Sequence, residues 1–325
     1  MSGKPLYLGV DTSNYTTSLA LCSDGKVLKS VRRLLPVGEK ACGLRQSDAV
    51  FLHTKALPEL AEELFSDTVY HACDLAAVGV SAFPRDAADS YMPCFLAGIS
   101  FASAAAFSHG IPLFRFSHQA GHVMAAVASC GAPERFRHAF LSFHVSGGTT
   151  EALLVQNTGN PFSFRIVGGT KDANAGQIID RAGVKINLPF PCGKALDELS
   201  QASQKKLPYG ALKMNDAYFS LSGLQNKVEA YLAAGEQPSD CAAFLFGSIA
   251  RMLTKSVEKL REIYGNLPVL FAGGVMSNSL IREQLETLDN VYFASRELSS
   301  DNACGTALLC ENAVENETVQ GLSRS

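Results

Sequence analysis

His118 and His122 have the type and spacing to hold a metal. Four residues apart, they fall one turn apart on a single face of a helix. Two neutral imidazoles so placed can grip one divalent cation from one side. The same spacing also suits two ordinary surface or capping histidines, and spacing alone favours that plainer reading. Gln119 stands where a His-Glu-x-x-His metalloprotease carries its glutamate, so that general base is missing. A second chemistry is suggested by three Gly-Gly pairs, Gly147–Gly148, Gly168–Gly169 and Gly273–Gly274, each after a strand-like apolar run. Glycine lets backbone N–H groups approach an anion closely and form a nest for it. One such pair would be an ordinary turn, whereas three at strand ends favour a phosphate site. None matches a Walker loop or a Gly-x-Gly-x-x-Gly fingerprint. Asp180 and Asp197 could accept hydrogen bonds from ribose hydroxyls, or could be solvated helix carboxylates. Asp172 reads most simply as a helix N-cap. Asp301 either caps the last helix or offers an oxygen to a metal.

These residues need elements to carry them. Gly110 to Phe116 reads as a short strand, and Ser117 as the cap of a helix bearing both histidines on its first turn. That is a sheet edge, where open α/β folds bind ligands. Upstream, strands over Pro5–Val10, Ser18–Cys22 and Lys26–Val31 form a meander, with the hydroxyl-rich loop Asp11 to Thr17 at one end. A helix over Val50–Phe65 is bent or divided by Pro58. Leu75–Ser81 is a buried strand, followed by an apolar helix near Cys94 to Phe107. Downstream, strands over Ala139–Val145, Glu151–Gln156 and Phe162–Val167 repeat the meander, with a turn at Asn157–Asn160. Thr16–Thr17 and Thr149–Thr150 occupy the same place in each copy, an internal duplication. Helices over Asp172–Lys185, Gly223–Ala234, Cys241–Tyr264 (capped by Ser239, closed by Gly265) and Asn278–Leu288 complete the second half. The tail after Glu315 reads as frayed.

Two lobes that each start with a meander suggest an α/β fold of the duplicated actin-like, sugar-kinase-like (ASKHA) type. A nucleotide sits between the lobes in that fold. The expected division is residues 1–133 and 134–325, with the last helix packing back toward the first lobe. Composition agrees: 325 residues, 47% hydrophobic and 18% charged, suit a large globular chain of two domains. The net charge of -3 gives no basic footprint for nucleic acid. Lys205–Lys206 and Arg32–Arg33 are small basic pairs, usually just solvated surface. Nine cysteines without a Cys-x-x-Cys pair, several in apolar runs, fit a reducing cytoplasm. No signal-peptide design or membrane-spanning stretch is evident.

Several motifs taken together resemble the TsaD family, the tRNA threonylcarbamoyladenosine transferases. They are His118-x-x-x-His122, Ser146-Gly147-Gly148-x-Thr150, Asp180 in Gly176–Asp180, Leu188-Pro189-x-Pro191-x-Gly193, Phe219-Ser220-x-Ser222-Gly223-Leu224, Ala272-Gly273-Gly274-Val275-x-x-Asn278 and Asp301-Asn302-Ala303. They run in the family's order across almost the whole chain. The resemblance implies one divalent metal, iron or zinc, on His118, His122 and Asp301. It implies an adenine-nucleotide or acyl-adenylate site at His144, Val145, Ser146, Gly147, Gly148, Asp180, Gly193, Asp197 and Asn278. It also implies the reaction: a threonylcarbamoyl group moves from its adenylate to the exocyclic amine of a tRNA adenosine. The partners implied are tRNA, the enzyme that forms the adenylate, other tRNA-modification subunits, and a homodimer or a heterodimer with a family member.

The departures lie on the acceptor side. The family's Glu-Thr-Ser-Cys-Asp-Glu-Thr reads Asp11-Thr12-Ser13-Asn14-Tyr15-Thr16-Thr17 here, so Tyr15 and Thr16 replace an acidic pair. The usual Gly-Pro-Gly-Leu reads Phe83-Pro84-Arg85-Asp86, and Ala-Gly-Glu has become Ala175-Gly176-Gln177. The donor side is kept. The reading is therefore a TsaD-type transferase, with two rivals: a paralogue that carbamoylates another acceptor, and a non-catalytic nucleotide-binding assembly partner.

Overall fold

The computed structural model describes residues 4–13, 15–36, 44–66, 69–156, 162–210, 213–295 and 302–322, with side chains through 316. Two compact units divide the chain. One takes Met1–Pro133, Asn157–Ser163 and the C-terminal Glu297–Ser325, and the other Glu134–Gln156 and Phe164–Arg296.

The first unit is built on strands β1 (Leu6–Asp11), β2 (Thr16–Ser23), β3 (Lys26–Leu34), β4 (Leu75–Phe83) and β5 (Leu113–Ser117). Their order is β3-β2-β1-β4-β5. The first three form an antiparallel meander; β4 joins β1 in parallel and β5 joins β4. Helices α1 (Gln46–Leu64) and α2 (Phe95–His109) supply Leu57, Leu60 and Ala102 against Leu8, Val10 and Val78 of the sheet. Pro58 lies inside α1 without dividing it. Thr16 and Thr17, expected in a loop, are the first residues of β2. Side chains alternate along a strand, so Gly9 and Gly79 face the opposite side. There the sheet meets α9 (Asn302–Leu322), which extends past Glu315 rather than fraying there. A Cβ on Gly9 would lie 2.2 Å from the Ala303 carbonyl oxygen, and one on Gly79 2.8 Å from that of Thr306. The glycines are thus what allows helix backbone to lie directly on strand backbone. Helix α3 (His118–Ser129) meets α9 in the same way, through Gly121 and Gly305.

The second unit repeats this plan. Strands β6 (Phe140–Val145), β7 (Thr150–Gln156) and β8 (Ser163–Thr170) form its meander, with β7 antiparallel to β6. Helices α4 (Ala175–Lys185) and α5 (Gly193–Ser200) follow. The two-residue strands β9 (Met214–Asn215) and β10 (Tyr218–Phe219) come next, then α6 (Ser222–Ala233) and α7 (Pro238–Tyr264). Strand β11 (Val269–Ala272), α8 (Ser279–Leu285) and β12 (Val291–Phe293) close the unit. Parallel addition of β11 to β6 and β12 to β11 gives the order β8-β7-β6-β11-β12, matching the first sheet strand for strand. The extra strands β10 and β9 extend it beyond β8. Phe143, Phe271, Leu245 and Ile249 lie in the core between the sheet and α7.

Several local expectations are corrected. Helix α7 opens on Pro238 as its first residue, with Gln237 rather than Ser239 at the cap. Proline suits that position because the first N–H of a helix needs no partner. The expected turn at Asn157–Asn160 lies outside the described residues, as do Asn14 and Asp301. Among the described residues, no helix is long and apolar enough to cross a membrane.

Candidate functional site

In the first unit the site begins with a helix cap. Ser117 Oγ accepts from the Ala120 N–H at 3.1 Å and donates to Asp86 Oδ2 at 2.6 Å. The Gln119 N–H donates to the Pro84 carbonyl at 3.1 Å. The Pro84–Asp86 segment therefore steadies the first turn of α3. Burial pushes the Asp86 carboxyl above its ordinary value, with the Ser117 bond opposing.

On that turn the His118 and His122 rings lie 4.4 Å apart between centroids, both half-buried. His118 Nδ1 lies 2.9 Å from Asp11 Oδ2, at the end of β1. Asp11 is 1% exposed and also accepts from the Ser13 N–H and hydroxyl through Oδ1. Burial alone would raise its carboxyl, but the His118 imidazole and the hydroxyls of Ser13 and Ser81 outweigh it and hold it below the usual carboxylate range. An ionised carboxylate only accepts, so His118 Nδ1 carries the proton and Nε2 is the atom suited to a metal. Asn302 Nδ2, from the first residue of α9, lies 3.5 Å from Nε2. The Asn302 Oδ1 atom is buried with no hydrogen-bond partner among the described residues. Among the described residues no group of three His, Cys, Asp or Glu side chains is arranged to hold a metal ion. The third expected ligand, Asp301, lies outside those residues. The pair, the orienting carboxylate and the orphaned amide oxygen nevertheless fit a cation at this end of α3. Asp11 was missed as part of this group in the sequence reading. Its only signal is a carboxylate at a strand end before a hydroxyl-rich loop. Tyr15 and Thr16 are half-buried beside this strand end, with Thr16 paired to Leu34 on β3.

The second unit contains a cavity of about 380 Å³ whose walls all come from that unit. Gly147, Asp180, Gly193, Asp197 and Asn278 line it. Gly147, Gly193 and Gly274 each have nothing within 4 Å of a built Cβ, so the backbone there faces open space. Gly176 is the opposite case: its Cβ would lie 2.6 Å from the Gly147 nitrogen. The start of α4 is thus pressed onto the Gly147 loop. It is held there by the Gly176 N–H to Ser146 carbonyl bond (3.1 Å) and the Ala175 N–H to Thr150 Oγ1 bond (2.9 Å). Asp180 Oδ1 accepts from the Cys192 N–H at 2.8 Å. Asp197 Oδ1 accepts from Asn278 Nδ2 and Ser279 Oγ, each at 2.8 Å, while Asn278 Oδ1 caps α8. Asp180 and Asp197 are therefore structural acceptors as well as cavity walls.

The other expected nucleotide residues do not line this cavity. Val145 is fully buried, and Ser146 Oγ accepts from the Thr149 N–H inside its own turn. His144 sits on β6 opposite Glu151, and Gly148 lies beyond the lining. Gly168–Gly169 belong to β8: built Cβ atoms there would strike Ala217 and the Thr150 carbonyl, so this pair serves sheet packing, not an anion. Asp172 is no cap of α4. Asn174 occupies the cap, and Gln177 reaches back to its N–H in a capping box. Asp172 instead accepts from the Leu221 and Ser222 N–H groups at 2.8 and 3.1 Å, ahead of α6. The sequence reading missed Lys194 and Phe246 as cavity walls. Lys194 was detectable, as the cation next to Gly193.

Comparison with known proteins agrees with these observations. A family model described as TsaD, tRNA N6-adenosine threonylcarbamoyltransferase, matches residues 41–308. The tRNA N6-adenosine threonylcarbamoyltransferase of Streptococcus suis is 31% identical over 97% of this chain and 94% of its own. That of Thermus thermophilus is 30% identical over 93% and 90%. Among solved structures, full-length HypF in the phosphate- and nucleotide-bound form aligns with a TM-score of 0.61 at 13% identity, over 98% of this chain and 56% of that one. The Acidaminococcus fermentans (R)-2-hydroxyglutaryl-CoA dehydratase component A aligns at 0.54 and 16%, over 96% and 98%. These structural likenesses show the fold, duplicated and actin-like. The sequence relatives show more than the fold, and by them the chain belongs to the TsaD family of tRNA N6-adenosine threonylcarbamoyltransferases.

Proposed function

We propose that this chain transfers a threonylcarbamoyl or carbamoyl group from an acyl-adenylate to the exocyclic amine of a tRNA adenosine. The cavity of the second unit carries the donor half of this reading. Its volume falls within the roughly 300–1,000 Å³ of small-ligand sites. Its open glycine faces at Gly147, Gly193 and Gly274 let backbone come close to an anionic group. Asp180 and the Asp197–Asn278 pair then stand as acceptors and donors for ribose hydroxyls. In the reaction the adenine amine forms a C–N bond to the carbamoyl carbon, the bond from that carbon to the phosphate oxygen breaks, and AMP leaves with the electron pair. The amine's proton must go to a base or to water. His118, His122 and Asp301 would hold a divalent metal, iron or zinc, which supplies Lewis-acid neutralisation of charge on the donor. Asp11 would keep His118 in the tautomer that presents Nε2.

Tyr15 and Thr16 favour a second reading, transfer to a different acceptor, because neither a phenol nor an alcohol replaces a carboxylate as a proton acceptor near neutral pH. One assay separates the two: purified protein, threonylcarbamoyl-adenylate and total tRNA, followed by nucleoside analysis. Modified adenosine supports the tRNA reading. Binding of the adenylate without modified adenosine removes the tRNA reading and leaves transfer to another acceptor or a non-catalytic assembly partner. Failure to bind the adenylate at all sinks both.

A further inference from the structure

A second hollow, of about 340 Å³, opens elsewhere in the second unit and shares no lining residue with the cavity above. Three cations line it: Lys213, Lys227 and Arg251. No acidic residue does. Among the described residues none of the three cations has a carboxylate within ion-pair reach. Arg251 comes from α7, its guanidinium carbon 4.6 Å over the Tyr209 ring, which itself stacks on Phe244. The Arg251 Nη1 atom is buried with no hydrogen-bond partner among the described residues. A buried guanidinium N–H left unbonded is costly. Lys227 reaches over Gly210, where a built Cβ would fall 1.8 Å from Nζ. Glycine at 210 leaves the room that the ammonium group uses. Leu224, Phe244 and Met252 form an apolar wall beside the cations.

One acid stands beside this arrangement. Asp172 takes the Ser220 hydroxyl and the N–H of Ser222, two residues that also line the hollow. It therefore occupies the α6 N-terminus, and an incoming anion must be held by the side-chain cations. Three positive charges against one leave a net attraction.

Cations beside an apolar wall, in a space close in size to the first cavity, match a phosphate joined to a flat, apolar body. We infer that this hollow binds a nucleotide unit, with its phosphate among Lys213, Lys227 and Arg251 and its base against the apolar wall. The unit can come from an RNA strand or from a free nucleotide. This goes beyond the proposed transfer reaction, and either can fail without the other because the two pockets share no residue.

The test uses the full chain labelled with ¹³C-methyl methionine. The Met252 methyl group, assigned with Met252→Leu, sits on the wall of this hollow, and loss of its shift in the variants below separates binding here from binding in the first cavity. One arm adds a single-stranded RNA oligonucleotide and the other adds AMP. Lys213 and Lys227 are exposed, so Lys213→Gln/Lys227→Gln should fold as the parent does. RNA as the source predicts a Met252 shift with RNA, lost in the double variant. It also predicts RNA binding at least tenfold weaker near 0.1 M salt and a salt slope reduced by about 1 per cation removed. A free nucleotide as the source predicts the Met252 shift with AMP and none with RNA, again lost in the variant. Arg251→Met should abolish whichever shift is seen. A silent Met252 in both arms, or a shift and RNA affinity unchanged in the variants, overturns the assignment.

Discussion

Gly147→Val isolates the donor cavity from the fold that builds it. A built Cβ at Gly147 meets nothing within 4 Å, and Gly147 is not among the glycines with positive φ, so a side chain can start there without a backbone clash. The expected stability change is within about 0.5 kcal/mol, as for surface positions generally. The ligand meets the opposite situation. The cavity measures about 380 Å³, near the small end of ligand sites, so a branched side chain there takes space a nucleotide needs. It also holds the anion away from the loop's backbone. A single lost charge-assisted hydrogen bond is worth about 1.5–3 kcal/mol, or roughly ten- to 150-fold in affinity. Gly176→Ala is the contrasting variant. Its Cβ would fall 2.6 Å from the Gly147 nitrogen and 2.7 Å from Gly147 Cα, backbone atoms that cannot swing away. Overpacking of that kind costs about 1–3 kcal/mol. Calorimetric titration with ADP, alongside thermal unfolding, reads both effects. Equal ADP affinity in the parent and in a normally folded Gly147→Val protein would refute the assignment of this cavity to the adenylate.

Three further outcomes follow from particular contacts. Elemental analysis should find metal in the parent protein and little in His118→Ala or Asp301→Ala. Asp11→Asn should weaken metal affinity about ten- to a hundredfold, as loss of an orienting partner does; unchanged occupancy in all three would leave the histidines as structural residues. Tyr15→Asp/Thr16→Glu should raise tRNA turnover by up to the hundred- to ten-thousand-fold typical of a general base, and robust parental turnover at the rate of relatives with both acids would contradict the acceptor argument. Burial opposes it, yet bonds from Ser220, Ser222, Leu221 and Ala173 hold the Asp172 carboxyl below its ordinary 3.8. Its folded value being depressed, its stabilisation is complete above the unfolded value and is lost as pH falls below it. Asp172→Ala should therefore cost about 1 kcal/mol at pH 7, with a gap that narrows below about pH 4; the same gap at pH 7 and pH 3 in denaturant titrations would refute this.

The sequence made much of this structure legible, and the misses have physical causes. Period-2 apolar runs located both meanders, and their duplication pointed to the repeated sheet order. The cap at Ser117 placed His118 and His122 correctly, because a serine before a periodic run has a direct local meaning. Gly168–Gly169 misled because a glycine forced by a neighbouring strand looks, in sequence, like one that faces a ligand. Asp172 misled because its partners, Leu221 and Ser222, lie some fifty positions away. Asp11 escaped notice for the same reason: its pairing with His118 spans 107 positions and is created by the β1–β4–β5 order.

The seat of α9 on β1 and β4 has a consequence for biogenesis. A ribosome releases the first unit's strands and α1 to α3 long before it makes α9. Until then the glycine-lined side of β1 and β4 has no cover. The second unit is contiguous in the chain, apart from a few residues, and can fold while still tethered to the ribosome. The nascent chain thus reverses the usual N-to-C order of domain completion: the half that emerges first finishes last. A stop codon after Arg296 would yield a folded second unit joined to a first unit with one sheet face open to chaperones and proteases.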